Sequence, residues 1–282
     1  MTRIHTTIPI LLLLCLQTGF KTVQKHSADA IMERVVEEHS VDTEIAQIKI
    51  NTTDRRGETT ERKMLSIIRR DPAGNYSTLI HFLEPKEING TTLLLSDKGH
   101  NQSKQYLYLP ALGKLREIQG SQRATYLLGT DFSYEDLRKE KTVEYRYQRQ
   151  QDGKVGDKEV YVILALPADK QKLETSGYGS RLLYIEKDTY HILKIDYYDE
   201  SGKLLKTFRA YDYSSEKIDG ISKRPRRAVM TNHETGSTTV MVLQKSRLNY
   251  SIDPRLFTKT SIQNWDKKHT SAYMDVFDQP QN

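Results

Sequence analysis

Apolar and polar residues alternate along most of this chain with a period of two, the spacing of a strand with one dry and one wet face. Ala46, Ile48 and Ile50 are separated by Gln47 and Lys49. Asp54-Arg55-Arg56-Gly57 has turn chemistry, and residues 59–70 return. Asp71-Pro72-Ala73-Gly74-Asn75 turns into a strand over 76–84, which Pro85 stops. Asn89-Gly90 leads into 91–96, and Asp97-Lys98-Gly99-His100-Asn101 leads into 104–109. Five strands joined by tight turns predict an antiparallel meander.

Residues 110–132 break the rhythm. Gly113, Gly120 and Gly129 interrupt them, and the pattern predicts a loop with one short strand. Residues 133–138 read as one helical turn, with Ser133 as N-cap and Asp136 in the capping-box position. The meander resumes with Val143, Tyr145 and Tyr147. A polar hairpin follows over 150–158, and Val160, Val162, Leu164 and Leu166 share one face of the next strand. After a polar excursion over 167–179, strands are expected at 182–186, 192–198, 204–213, 228–232 and 238–248. Ile31, Val35 and Val36 fall at helical spacing within 28–40, a short amphipathic helix that covers one end of the sheet. Phe257 reads as an anchor, and from Asn264 the polar chain is expected to fray. The fold class is mainly β: a single curved antiparallel sheet of about eleven strands, too many to stay flat. Such a sheet encloses either a filled core or a ligand cavity.

Composition fits a sheet wetted on one side: 37% of the 282 residues are hydrophobic and 28% charged. Tyr outnumbers Phe 17 to 6, as suits half-exposed sheet faces. The net charge of +6 is scattered, so a nucleic-acid partner is not expected. The one basic cluster, Lys223-Arg224-Pro225-Arg226-Arg227, reads as a solvated hairpin edge or as a contact for an anionic membrane surface.

Residues 1–27 have the layout of a secretory signal peptide: Arg3 and His5, the nine-residue apolar run 8–16, then polar residues. Gly19 and Ser27-Ala28-Asp29-Ala30 are alternative cleavage regions. The run is too short to span a bilayer. Residues 28–266 then form one domain, and 267–282 a polar tail. Cys15, the only cysteine, follows Leu14 where lipid attachment needs a small residue, so it is expected to leave with the signal. The exported chain would then hold no disulfide.

No catalytic signature is present. Eight histidines show no metal-ligand spacing, and no nucleophile elbow or phosphate loop occurs. Asp97, Asp131 and Asp136 do not form a calcium loop. Ser133 lies between Asp131 and Glu135, a hydrolase-like grouping that helix capping explains more cheaply. No cofactor, metal or catalytic residue is expected.

Three motifs carry a resemblance. They are Phe82-Leu83-Glu84-Pro85 with Gly90-Thr91, Tyr106-Leu107-Tyr108-Leu109-Pro110 with Arg116, and Gly129-Thr130-Asp131-Phe132-Ser133-Tyr134-Glu135-Asp136-Leu137. Over residues 28–266 the chain resembles the outer-membrane lipoprotein-sorting (LolA/LolB-like) family. The resemblance implies an unclosed antiparallel half-barrel covered by short helices, with an apolar cavity for acyl chains of lipids or lipoproteins. It implies a periplasmic carrier that needs no cofactor and acts as a monomer, served by an inner-membrane lipid or lipoprotein exporter. Gly129, Asp131, Phe132, Ser133, Asp136 and Leu137 become lid residues. Phe82, Leu95, Leu107, Tyr145, Val162, Leu164, Ile195 and Phe208 are the cavity candidates. The alternatives are a lipid-acting hydrolase and a non-catalytic envelope or transporter accessory protein.

Overall fold

The computed structural model describes residues 26–98, 102–213 and 225–279. Most of the expected signal peptide, with Cys15, lies outside the described residues, as do Lys223 and Arg224. Helix α1 (Ala28–Glu38) precedes strands β1 (Thr43–Thr53), β2 (Thr59–Arg70), β3 (Tyr76–Glu84), β4 (Thr92–Lys98), β5 (Gln102–Leu109) and β6 (Lys114–Glu117). After an irregular segment come β7 (Tyr145–Arg149), β8 (Gly153–Val155), β9 (Lys158–Pro167) and helix α2 (Lys170–Ser176). Strands β10 (Ser180–Glu186), β11 (Ile192–Tyr198), β12 (Leu204–Tyr213), β13 (Pro225–Asn232) and β14 (Thr238–Leu248) follow. Helices α3 (Lys259–Gln263) and α4 (Lys267–Met274) lie at the C-terminal end.

All strands join one antiparallel sheet in the order β6-β5-β4-β3-β2-β1-β14-β13-β12-β11-β10-β9-β7, with β8 also on β9. Among the described residues the sheet has fourteen strands rather than about eleven. Short pieces such as the three-residue β8 make the difference, because a Gly-Lys-Val segment shows no alternation. The two ends of the order, β6 and β7, do not pair with each other, so the sheet stays open. Its end strands β6 and β7 are short and carry Lys114, Arg116, Arg146 and Arg149, which discourages edge-to-edge association.

This order has a topological consequence. Strands β6 and β7 are consecutive in the chain but lie at opposite edges. Residues 118–144 must therefore cross the sheet from edge to edge. They cross on the concave side, where Leu127, Tyr134 and Leu137 pack on Ile50, Ile80, Phe82, Leu93, Leu95 and Leu107. We call this segment the strap.

The other face is covered by the C-terminal residues. Ile45, Ile67, Leu79, Leu94 and Tyr106 stand in register across β1 to β5 and meet Leu256, Ile262 and Val276. The C-terminal chain therefore does not fray: α4 forms, and Val276 is only 1% exposed. Few apolar residues suffice here because each is buried on an exposed sheet face. Among the described residues no helix is long and apolar enough to cross a membrane.

His81 lies beneath this cover, with its ring 4.9 Å from Trp265 and Nδ1 2.8 Å from Thr92 Oγ1. Burial lowers its pKa to about 4. The unfolded chain, with an ordinary histidine pKa near 6.5, then binds more protons, so stability falls as pH drops from about 6.5 towards 4. The expected slope from this group is about 1.4 kcal/mol per pH unit. Urea unfolding at pH 7, 6 and 5 should show it, and His81→Gln should flatten it. An unchanged slope in the variant would remove His81 as the cause.

Candidate functional site

A strap on an apolar sheet face must satisfy its own polar groups, because no water reaches them there. The motif 129–137 does this with side chains. Asp131 N–H donates to Thr239 Oγ1 at 2.9 Å, and Thr239 Oγ1 donates to Asp131 Oδ2 at 2.7 Å. Ser237 donates to the other oxygen of Asp131. These bonds fix the strap to β14. Ser133 N–H donates to Asp136 Oδ2 at 2.7 Å, and Asp136 N–H donates to Ser133 Oγ at 3.3 Å. The reciprocal pair expected of a capping box is present, although the segment is a turn and not a helix. Gly129 sits at φ +73°, and a Cβ there would lie 3.1 Å from Arg62.

Lys206 of β12 is the strongest tie. It is 1% exposed and pairs with Asp136 at 2.5 Å. It also donates to the Asp131 carbonyl at 3.2 Å. The rings of Tyr126, Tyr178 and Tyr197 surround its ammonium, each 5.3 Å away. Tyr178 O–H donates to Asp136 Oδ1 at 2.7 Å and lies 3.0 Å from Ser133 Oγ. Ser133, 1% exposed, is thus engaged in capping and with a tyrosine, not with a histidine base.

The strap fills only the concave face of β1 to β6. Over β10 to β13 a cavity of about 280 Å³ remains. Phe132, Ile192, Ile195, Tyr197, Phe208 and Met230 give it carbon-rich walls. Phe132 meets Phe208 edge-on at 6.5 Å. A second recess of about 400 Å³ lies under Val35 and Val36 of α1 and beside Tyr76. The two share His39, Lys139, Glu140, Lys141 and Ile192.

One wall of the cavity is an ion-paired network. Arg138 meets Glu135 at 2.9 Å and Glu144 at 2.7 Å, and Lys172 of α2 bridges the same two carboxylates. Arg181 grips Glu140 through two bonds of 2.7 and 3.0 Å, and Tyr147 O–H donates to Glu140 at 2.6 Å. Burial pushes the Glu144 carboxyl up, but Arg138 and Lys172 outweigh it and hold the group at about 2. Burial lowers Arg138, yet Glu144 and Glu135 raise it overall. Both groups stay charged in the physiological range. Among the described residues no group of three or more metal-ligating side chains is assembled.

The eight cavity candidates separate into three groups. Tyr145, Ile195 and Phe208 line the cavity. Phe82, Leu95 and Leu107 face the concave side but are buried under the strap, where the interior is filled. Val162 and Leu164 lie on the opposite face of β9, in register with Tyr184 and Leu182, so neither can reach the cavity. Of the lid residues, Phe132 and Asp136 touch the cavity, whereas Gly129, Asp131, Ser133 and Leu137 hold the strap in place. With so many ties the strap is part of the wall, and helix α1 is docked beside it through Ala28, Ile31, Met32 and Val35, buried among Tyr147, Tyr161, Ile163 and Leu183.

Sequence reading missed Arg138, Glu140, Glu144, Lys172, Tyr178, Arg181, Tyr197, Lys206 and Met230. One signal was available: Lys206 and Arg181 are cations at inward positions of alternating strands, where a charge needs a buried partner.

This open antiparallel sheet, crossed by a strap and hollow at one end, defines a LolA/LolB-like half-barrel. A protein described as an outer membrane lipoprotein-sorting protein domain, from Vibrio parahaemolyticus, superposes with a TM-score of 0.78 at 26% identity, over 84% of this chain and 98% of that one. A DUF1329 family protein from Desulfovibrio piger gives 0.76 at 24% identity, over 83% and 97%. A LolA superfamily protein from Nitrosomonas europaea gives 0.66 at 20%, over 83% and 99%. A family model described as an uncharacterized protein matches residues 74–264, and the chain belongs to that family. No curated protein matches the chain.

Removing one partner of the Lys206–Asp136 pair leaves a buried charge uncompensated. Lys206→Met should cost about 3–5 kcal/mol. Adding Asp136→Asn should recover at least half of that loss. Urea unfolding of both variants checks this, and a Lys206→Met loss below about 1 kcal/mol would contradict the role assigned to the pair.

Proposed function

We propose that this protein is a periplasmic carrier that holds an acyl chain of a lipid or lipoprotein in its half-barrel. The observation behind the reading is the carbon-rich cavity over β10 to β13, with its neighbouring recess under α1. The likeness to a lipoprotein-sorting domain supports it. An acyl chain gains about 0.8 kcal/mol per buried methylene, so about ten methylenes contribute about 8 kcal/mol. That corresponds to micromolar affinity, tight enough for transit and weak enough for release. Helix α1 covers the recess through Val35 and Val36 and is attached at one end by the Arg149 bond to the His26 carbonyl, 2.9 Å long. An exporter in the inner membrane would deliver the cargo, and the outer membrane or a lipid transporter would receive it.

Native mass spectrometry of gently purified protein should show bound lipid, and delipidated protein should take up a fluorescent fatty acid. Ile195→Trp fills the cavity and should weaken that uptake at least about tenfold, since several methylenes lose their place. Its unfolding midpoint should stay within a few degrees of the parent. A clean unliganded mass with no uptake would refute the carrier reading.

A further inference from the structure

Beyond the apolar cavity, a smaller recess of about 200 Å³ opens on the far side of the ion-paired wall. Its lining is polar and includes Ser103, Arg123, Arg138, Glu144, Lys172 and Thr175. Arg138, Glu144 and Lys172 belong to both spaces. The formal charges balance, three cations (Arg123, Arg138, Lys172) against three carboxylates (Glu135, Glu144, Asp169), but they are not all paired. Arg138 and Lys172 are compensated by Glu135 and Glu144. Asp169, also in the lining, caps α2 by accepting from Lys172 N–H at 2.7 Å and makes no ion pair with Arg123 among the described residues.

Arg123 is the cation of the recess that no carboxylate pairs directly. Its one hydrogen bond runs from Nη2 to the Ser103 carbonyl at 2.6 Å, and it forms no ion pair among the described residues. Its Nε is buried and makes no hydrogen bond to the described protein, and the same holds for Arg138 Nε. Burial and the neighbouring Arg138 pull the Arg123 guanidinium below its ordinary value, despite the carboxylates Glu135, Glu144 and Asp97 nearby. A half-buried guanidinium with one hydrogen bond and no direct ion pair is under-satisfied, and an oxyanion with several acceptors is a ligand that would complete it. Ser103 is already held in place by Arg138 Nη2, at 2.9 Å from its Oγ.

We propose that this recess is an oxyanion-binding site in which Arg123 grips a phosphate-like group. Two sources share that chemistry: the phosphate of an amphiphile's headgroup and free inorganic phosphate. The headgroup source rests on the carrier reading; the anion site itself does not. A headgroup bound here would add charge selectivity to the binding of an amphiphile.

The test uses the mature chain with three probes: inorganic phosphate, dioctanoyl phosphatidylglycerol and dioctanoylglycerol. Calorimetry should show phosphate binding to the parent, lost at least about tenfold in Arg123→Gln and partly kept in Arg123→Lys, which retains charge without the fork. Phosphate should raise the unfolding midpoint of the parent and Arg123→Lys but not of Arg123→Gln. Dioctanoylglycerol uptake should be the same in parent and Arg123→Gln, and Ile195→Trp should still bind phosphate. A preference for phosphatidylglycerol over dioctanoylglycerol that disappears in Arg123→Gln identifies the headgroup as the source. Phosphate binding without that preference identifies the free anion. No phosphate binding to a folded parent, or equal binding by Arg123→Gln, overturns the site. Loss of uptake of both lipids with phosphate binding intact would instead refute the carrier reading.

Discussion

One constraint shapes the molecule: its chain must cross its own concave face. Strands β6 and β7 are neighbours in sequence and lie at opposite edges of the sheet. The connection therefore runs across apolar surface, where unsatisfied polar groups are expensive. The Lys206–Asp136 pair resolves this at its centre, with Asp131 on Thr239 and Ser237 to one side and Ser133 on Tyr178 to the other. Lys206 is a buried cation inside a ring of tyrosines. It is tolerable only because a carboxylate, a carbonyl and three aromatic faces meet it together.

The cavity follows from that arrangement. The strap seats Leu127, Tyr134 and Leu137 against β1 to β5 and closes that half. Past Leu137 it runs into the charged stretch 138–141, and the space over Ile195 and Phe208 stays open. The ion pairs of Arg138, Lys172 and Arg181 make a stiff wall on that side, while α1 covers the other recess. The rigid wall keeps an apolar space from collapsing.

Much of this was legible in the sequence. The alternation of Ala46, Ile48 and Ile50 and the turn at 71–75 mark strands correctly, and the motif 129–137 marks the strap. Faces were less legible. Strand β9 is apolar on both sides, so alternation could not say whether Val162 or Ile163 pointed inward; β10 pairing decides it. Phe82, Leu95 and Leu107 face the right side, but that the strap covers them is a long-range fact. Helix α2 has no apolar stripe and was hidden in a polar stretch, yet it delivers Lys172. Pairing of β1 with β14 joins residues about two hundred positions apart, beyond any local pattern.

The most direct measurement is to load the protein with a photoactivatable fatty acid, cross-link it and map the modified residues. The account predicts labels on Ile195, Phe208, Met230 and their neighbours in β11 to β13. Labels on Val162 and Leu164 of the convex face, or beneath the strap at Phe82 and Leu107, would contradict it.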